Sequence, residues 1–278
     1  MALTNFVPTI WSQEINFQLY TMLVALSVVN RDYEGEIANH GDTVKINRPA
    51  AVTVSTYNVG SDISFQVPTS TQTTLSINQQ NYIAITIDDV RKAQANIELM
   101  RPYVQEGAYA LADTLDTFIF SKYTGADAGN VIAKATLSNS TIWDALVSAK
   151  KNLSLNNVPT PGRWMVLSPN EIALLEDSSE FQRASQLGDD VSRNGFAGRA
   201  AGFDIFESNN LTVANDGSHN VRHCVYGTNA AITFANQLTK MESGRHEKQF
   251  ADYVRGLMLY GAAVVKPKAL GDLRAIVA

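Results

Sequence analysis

The chain has 278 residues, of which 45% are hydrophobic and only 18% are Asp, Glu, Lys or Arg, below the usual quarter of charged residues. Its formal net charge of −5 argues against a general nucleic-acid binder, which needs basic clusters. The lone Cys224 excludes an internal disulfide framework and fits a reducing compartment. Ser, Thr, Asn and Gln together supply 75 residues, and such an uncharged polar surface suits contact with neighbours over large areas. The longest near-apolar runs, Met22 to Val29 and Gly256 to Val265, fall well short of the ~20 residues of a membrane span. No basic start followed by an apolar stretch marks a signal peptide.

Residues 1–30 carry one charged side chain, Glu14, and read as an uncharged arm. Arg31, Asp32, Glu34 and Glu36 follow as a short mixed-charge run, an ion-pair cluster within or between subunits. Residues 49–87 again carry a single charge, Asp62. Val44, Ile46, Val52 and Val54 sit at even positions, and Leu75, Ile77, Ile83, Ile85 and Ile87 at odd ones. Period two means strands with one apolar face. The expected element is a long two-stranded ribbon with arms 43–57 and 73–87. Each arm would reach about 50 Å at ~3.3 Å per residue. Asn58, Gly60, Ser61 and Asp62, with Pro68 beyond them, mark a turn region at its tip. A neighbouring subunit is the expected cover for the apolar face; the alternative is the chain's own sheet.

From Asp88 the period changes. Val90, Ala93, Ile97, Met100, Val104, Ala108, Leu111, Leu115 and Phe118 are spaced by three and four, which predicts one long helix to about Tyr123. Asp88 or Asp89 is placed to cap its start, and Pro102 to kink it. A shorter helix is expected from Ile142 to Leu153, a buried strand at Arg163–Ser168, and a helix starting at Pro169 with Ser168 as its cap. Phe181 to Leu187 adds one or two helical turns. Gly188–Gly202 reads as a loop, and four strands follow: Gly202–Ser208, Val221–Phe234, Lys240–Phe250 and Ala251–Val265. The last is apolar on both faces and is therefore central in a sheet.

The chemical candidates are weak. His219 and His223 have a metal-ligand spacing and Cys224 adjoins them, but no second ligand pair follows. The preferred reading is two exposed loop histidines and a buried strand cysteine. Ser168 lies in a helix-cap context, not in a nucleophile elbow. Gly195, Gly198 and Gly202 precede a strand and lack the Gly-Lys-Ser/Thr of a phosphate loop. Asp189 and Asp190 read as solvent-facing. No catalytic residue, metal or cofactor is expected, and an enzyme would need convergent acid–base groups that are missing here.

The order of parts resembles the major capsid protein of tailed bacteriophages, the Hong Kong 97-like fold. Asn30-Arg31-Asp32-Tyr33-Glu34-Gly35-Glu36 with Gly41-Asp42-Thr43-Val44 is similar to the arm-to-hairpin junction of coats that use a separate scaffold. Asp88-Asp89-Val90 with Tyr109-Ala110-Leu111-Ala112-Asp113 resembles the spine helix. Gly198-Arg199-Ala200-Ala201-Gly202-Phe203-Asp204-Ile205 and Tyr260-Gly261-Ala262-Ala263-Val264-Val265-Lys266-Pro267 resemble its later strands. The resemblance covers nearly the whole chain.

It implies an α+β capsid fold with an N-terminal arm (1–40), an extended hairpin or E-loop (41–87), and a peripheral domain with the spine helix (88–134). A mainly axial domain (135–245) and a strand returning to the peripheral domain (246–278) complete it. It also implies an icosahedral shell of pentamers and hexamers around double-stranded DNA, assembled in the host bacterial cytoplasm. The implied partners are further copies of the chain, a separate scaffolding protein, a portal protein, and DNA held by weak non-specific contact; a membrane is not among them. The expected inter-subunit residues are Arg31, Asp32, Glu34, Val52, Val54, Ile63, Phe65, Leu75 and Ile77. Lys45, near the hairpin base, is the hairpin's only lysine, so the shell is expected to hold without covalent crosslinks. An encapsulin-like cage shares the fold and differs by packaging enzymes instead of DNA.

Overall fold

The computed structural model describes residues 24–33, 43–49, 52–60, 62–63, 65–67, 69–88, 100–179, 181, 198–245 and 250–277. Among them are three sheets and three helices of more than two turns. Strands β1 (Thr43–Pro49) and β2 (Ser70–Ser76) form an antiparallel pair. Strand β3 (Gln79–Asp88) joins β10 (Ile232–Arg245) and β11 (Ala251–Val264) in a three-stranded sheet with β11 in the middle. The central place expected for the apolar last strand is thus found.

The third sheet has seven strands. Its order is β4 (Val131–Ala135), β12 (Leu270–Ile276), β9 (Asn220–Thr228), β5 (Arg163–Leu167), β7 (Phe203–Glu207) and β6 (Arg199–Ala200), with β8 (Val213–Asn215) also on β9. Every residue of β5 is buried. That includes Arg163, whose guanidinium donates to the carbonyls of Pro159 at 3.0 Å and Val158 at 2.6 Å and to Ser154 Oγ at 3.1 Å. A buried cation is tolerable because its donors are met this way.

Helix α1 (Met100–Phe120) lies on the three-stranded sheet. Leu111, Leu115 and Ile119 face inward at a spacing of four, together with Ala112 and Phe120. The Phe118 ring meets Tyr260 of β11 edge-on at 5.0 Å between centroids. A Cβ at Gly107 would stand 3.3 Å from the Ile83 side chain of β3, so the helix approaches the sheet closely there. Helix α2 (Ile142–Leu155) buries Ile142, Ala145, Leu146, Ala149 and Leu153. Helix α3 (Pro169–Glu176) starts with a capping box between Ser168 and Glu171, with Ser168 at the expected cap.

Several expectations need correction. The ribbon is not one long pair. Its ladder ends at Pro49↔Ser70, and the second arm breaks at Ile77 and Asn78, after which β3 pairs with β11 instead. Ile83 and Ile85 keep the strand's period, but their partner is another strand. Asp88 is the last residue of β3, paired with Ala251, and the residues it was expected to cap lie outside the described ones. Asp89 and the first three residues of the predicted stripe, Val90, Ala93 and Ile97, lie outside the described residues. So does the predicted kink's upstream half; Pro102 sits in the first described turn of α1. The expected strand Val221–Phe234 is two strands, β9 and β10, separated by a turn at Asn229–Ala231. The chain also adds β4, β6, β8 and β12, which were not expected; β6 falls within the stretch Gly188–Gly202 that was read as a loop. Strand β12 joins the seven-stranded sheet, while β11 joins the three-stranded one, so the C-terminal segment serves both. The division expected at residue 245 falls between β10 and its ladder partner β11. Residues 182–197, including Asp189, Asp190 and Gly195, lie outside the described residues.

Candidate inter-subunit surface

The hairpin splits into two chemically similar but differently placed parts. At its base Val44 pairs with Leu75 and Ile46 with Thr73. Ile46, Leu75 and Ile77 then pack with Ala235 of β10 and with Leu259 and Val265 at β11 to form a second small core. Leu75 and Ile77 are 0% and 1% exposed. The fit is close: a Cβ at Gly261 would stand 2.2 Å from the carbonyl oxygen of Ser76. Leu75 and Ile77 are therefore covered by this chain's own sheet. That corrects their expected place at a neighbour's surface, because the break at Asn78 turns the base onto β11.

Beyond Pro49 no ladder continues among the described residues. Thr53 donates its N–H to Gln66 Oε1 at 3.1 Å, and Gln66 Nε2 donates to the Thr53 carbonyl at 3.2 Å. One side-chain amide thus stands in for a ladder pair, and the two arms stay side by side. Gly60, with φ of 90°, makes the turn at the tip, a conformation that favours glycine. Val52, Val54, Ile63 and Phe65 are exposed, Val54 and Phe65 by more than nine-tenths. Tyr57, Val59 and Val67 are exposed with them. These three were not singled out from the sequence. They lie off the even-numbered pattern, and the one signal that marks them is the charge-poor stretch they share. Burying each such side chain fully is worth roughly 1.5–3 kcal/mol, and at Val54, Val59 and Phe65 almost none of it is realised within the chain.

The arm's described end is docked on the chain itself. A short 3₁₀ turn, Ala25–Ser27, buries Ala25 and leads to buried Val28 and Val29. Asp116 of α1 accepts the N–H of Ala25 at 3.1 Å and of Val24 at 3.3 Å. Burial pushes the Asp116 carboxyl up to about 6, and neighbouring Asp113 adds to the rise, while the two N–H groups oppose it. Asp113, Asp116 and Glu207 line one recess of about 170 Å³. Asp116 was missed in the sequence because it interrupts an apolar stripe, where a carboxylate normally reads as the solvent face. Of the charged run, Arg31 is half-buried and Asp32 exposed, with the Asp32 N–H donated to Asn30 Oδ1 at 2.8 Å. Glu34 and Glu36 lie outside the described residues.

The polar clusters inside are structural. His223 is buried, not exposed in a loop as expected. Its Nδ1 lies 2.9 Å from Asp272 Oδ2, its ring stacks on Tyr123 at 3.8 Å, and Arg274 Nε donates to the same carboxylate at 2.9 Å. The reason is β12, which pairs Arg274 with His223 and buries Asp272 beside it. His219 is exposed and Cys224 buried, as read; burial pushes the Cys224 thiol well up, away from nucleophilic use. Glu171 accepts from Arg222 at 2.7 Å. Among the described residues no group of three or more His, Cys, Asp or Glu is placed to hold a metal ion, and no helix is long and apolar enough to cross a membrane.

A shape with a buried body and a projecting, uncovered apolar tip is that of a subunit, and the comparisons agree. The family model of the phage capsid protein matches residues 70–273, well over half of the sequence. The chain belongs to this family. Among solved structures it is similar to one from Mycobacterium phage Che8, with 29% identity over 90% of each chain and a TM-score of 0.74. The capsid of cyanophage P-SCSP1u has 17% identity over 91% of this chain and 87% of that one, with a TM-score of 0.67. The head structure of Helicobacter pylori bacteriophage KHP40 has 12% identity over 84% and 85%, with a TM-score of 0.62. No curated protein sequence matches. The protein is accordingly a structural component of a phage capsid, and not an enzyme. The mixed helix-and-sheet fold is that of phage capsids.

Proposed function

We propose that this chain is the major subunit of an icosahedral head, built from pentamers and hexamers that enclose double-stranded DNA. The tip of the hairpin, residues 52–67, acts as the extended arm laid over a neighbouring subunit, with Val52, Val54, Ile63 and Phe65 as its apolar contact face. Helix α1 acts as the spine of a peripheral part that includes β3, β10 and β11. The seven-stranded sheet with α2 and α3 forms the bulk of the axial part. Arg31, Asp32 and Glu34 add polar contacts at the arm. The observation that carries this is the row of exposed apolar side chains on the hairpin tip. An apolar strip of this size on a projecting element marks an interaction surface.

The partners that follow are a separate scaffolding protein and a portal protein, with assembly in the host cytoplasm. A net charge of −5 favours only weak, sequence-independent contact with the packaged DNA. Lys45 as the hairpin's only lysine favours non-covalent shells. Electron microscopy of the chain at high concentration, with its scaffolding partner present, tests the reading. Closed shells with five-fold and six-fold clusters are expected. A chain that stays monomeric under those conditions contradicts it.

A further inference from the structure

A groove opens where the hairpin leaves the body. Arg48 and Thr71, paired one step before the end of the ladder, form one wall. The 156–162 loop after α2 and the Lys266–Ala269 turn after β11 form the others, around a volume of about 830 Å³. Val158, Pro159, Pro161 and Pro267 give it apolar walls. Its charges are Arg48, Lys266 and Lys268 against a single carboxylate, Asp127. That carboxylate already accepts the Gly129 N–H at 2.9 Å. The Arg48 guanidinium is anchored by its Nη1 donating to the Val265 carbonyl at 3.0 Å, while Lys266 and Lys268 are exposed.

The hairpin tip is the complement of this groove. It presents apolar side chains on both arms and one charge, Asp62, exposed beside Ile63. The tip cannot serve its own groove. The groove sits at the root of the tip, and the Val59–Gly60 turn lies ten residues beyond Pro49. With the arms held side by side by Thr53 and Gln66, an extended arm of that length reaches about 30 Å away. We propose that the groove receives the hairpin tip of a second copy of this chain, with Asp62 of the incoming tip meeting Lys266 and Lys268. The inference rests on the shell reading above and names the receiving face. Tip and groove are different surfaces, so the contact is heterologous, and such contacts close into rings when the rotation allows. Opposite charges inside an apolar groove fix register more than they add affinity.

Charge exchange tests it. Asp62→Lys should raise the concentration needed for assembly by about tenfold, the scale of one lost, partly desolvated ion pair, and Lys266→Glu with Lys268→Glu should do the same. Combining all three should restore assembly to near the parent level. Disulfide trapping gives a second readout, because the only native cysteine, Cys224, is buried. A chain carrying Asp62→Cys and Lys268→Cys, assembled and then oxidised, should run on a non-reducing gel as multiples of the chain. Normal assembly of the charge-reversed chains, or shells in which the cysteines stay free or link within one chain, overturns the groove while leaving the shell reading intact. Failure of the parent chain to assemble overturns the shell reading itself.

Discussion

The base and the tip of one hairpin follow the same residue pattern and meet opposite fates. Both are rich in Thr, Val and Ile, and both alternate; the base carries Lys45 and Arg48, the tip Asp62. At the base the alternation is consumed by the chain: Ile46, Leu75 and Ile77 sit under β10 and β11. At the tip it is consumed by nothing in the chain, and Val54 is 94% exposed. Period two reports that a strand has an apolar face, and it is silent about what covers that face. Folding energy and assembly energy are written in the same residue pattern, and the end of the ladder at Pro49↔Ser70 separates them.

The sharpest way to break this comparison is to put the same charge on each side of it. Leu75→Asp buries a carboxylate in a site with no partner, which costs several kcal/mol. Its effect on the free subunit should be the largest, a fall in melting temperature on the order of 10 °C, measured by calorimetry. A subunit that melts as the parent does would mean that the base is not part of the body.

A smaller effect is expected at Asp116, where the arm meets the body. Its folded pKa of about 6 lies above the ~3.9 of an unfolded Asp. Between those values the folded state holds more protons than the unfolded one, so acid favours folding through this group. Its unfavourable contribution is fully present above pH 6 and is relieved as the pH falls toward 4. Measured against Asp116→Asn, which keeps an acceptor oxygen and loses the charge, the parent should gain about 1–3 kcal/mol between pH 7 and pH 4. Asp113 and Glu207 face the same recess and are common to both proteins, so the difference isolates Asp116. An equal pH response in the two proteins would show that this carboxylate does not sense the docked arm.

The smallest effect on the free subunit should come from Val54→Asp. An exposed position tolerates the change, so melting should stay within about 2 °C of the parent. Assembly should be blocked all the same, because the carboxylate would be buried against the neighbour. Light scattering under assembly conditions reads this out.

The sequence was most legible where one rule acted alone. The Ser168 cap of the helix starting at Pro169, the short helix α2, and the two-sided apolar strand β11 were all recognisable, because local chemistry decided each; the reciprocal bond from Glu171 was not read. It was least legible where distant strands competed. Nothing local marks Asn78 as the point where pairing passes from β1 to β11, nor His223 as a residue that β12 would bury beside Asp272. The candidate surface was half visible: Val52, Val54, Ile63 and Phe65 stand exposed on the tip, while Leu75 and Ile77 went inward. Val59 sits at the turn, where no strand period holds, and Val67, although in step with Ile63 and Phe65, lay beyond both predicted arms. Asp116 was hidden because its partners are backbone N–H groups ninety residues away, which no side-chain pattern reveals.

The central claim is that the tip is covered only by another copy of the chain. Cysteine labelling at Val54→Cys tests it most directly, since the single native cysteine is buried and contributes little background. The rate of thiol modification is measured on the free subunit and on assembled particles. The account predicts rapid labelling of the free subunit and strong protection, by at least tenfold, in the particles. Equal labelling in both, with particles well formed, would contradict it.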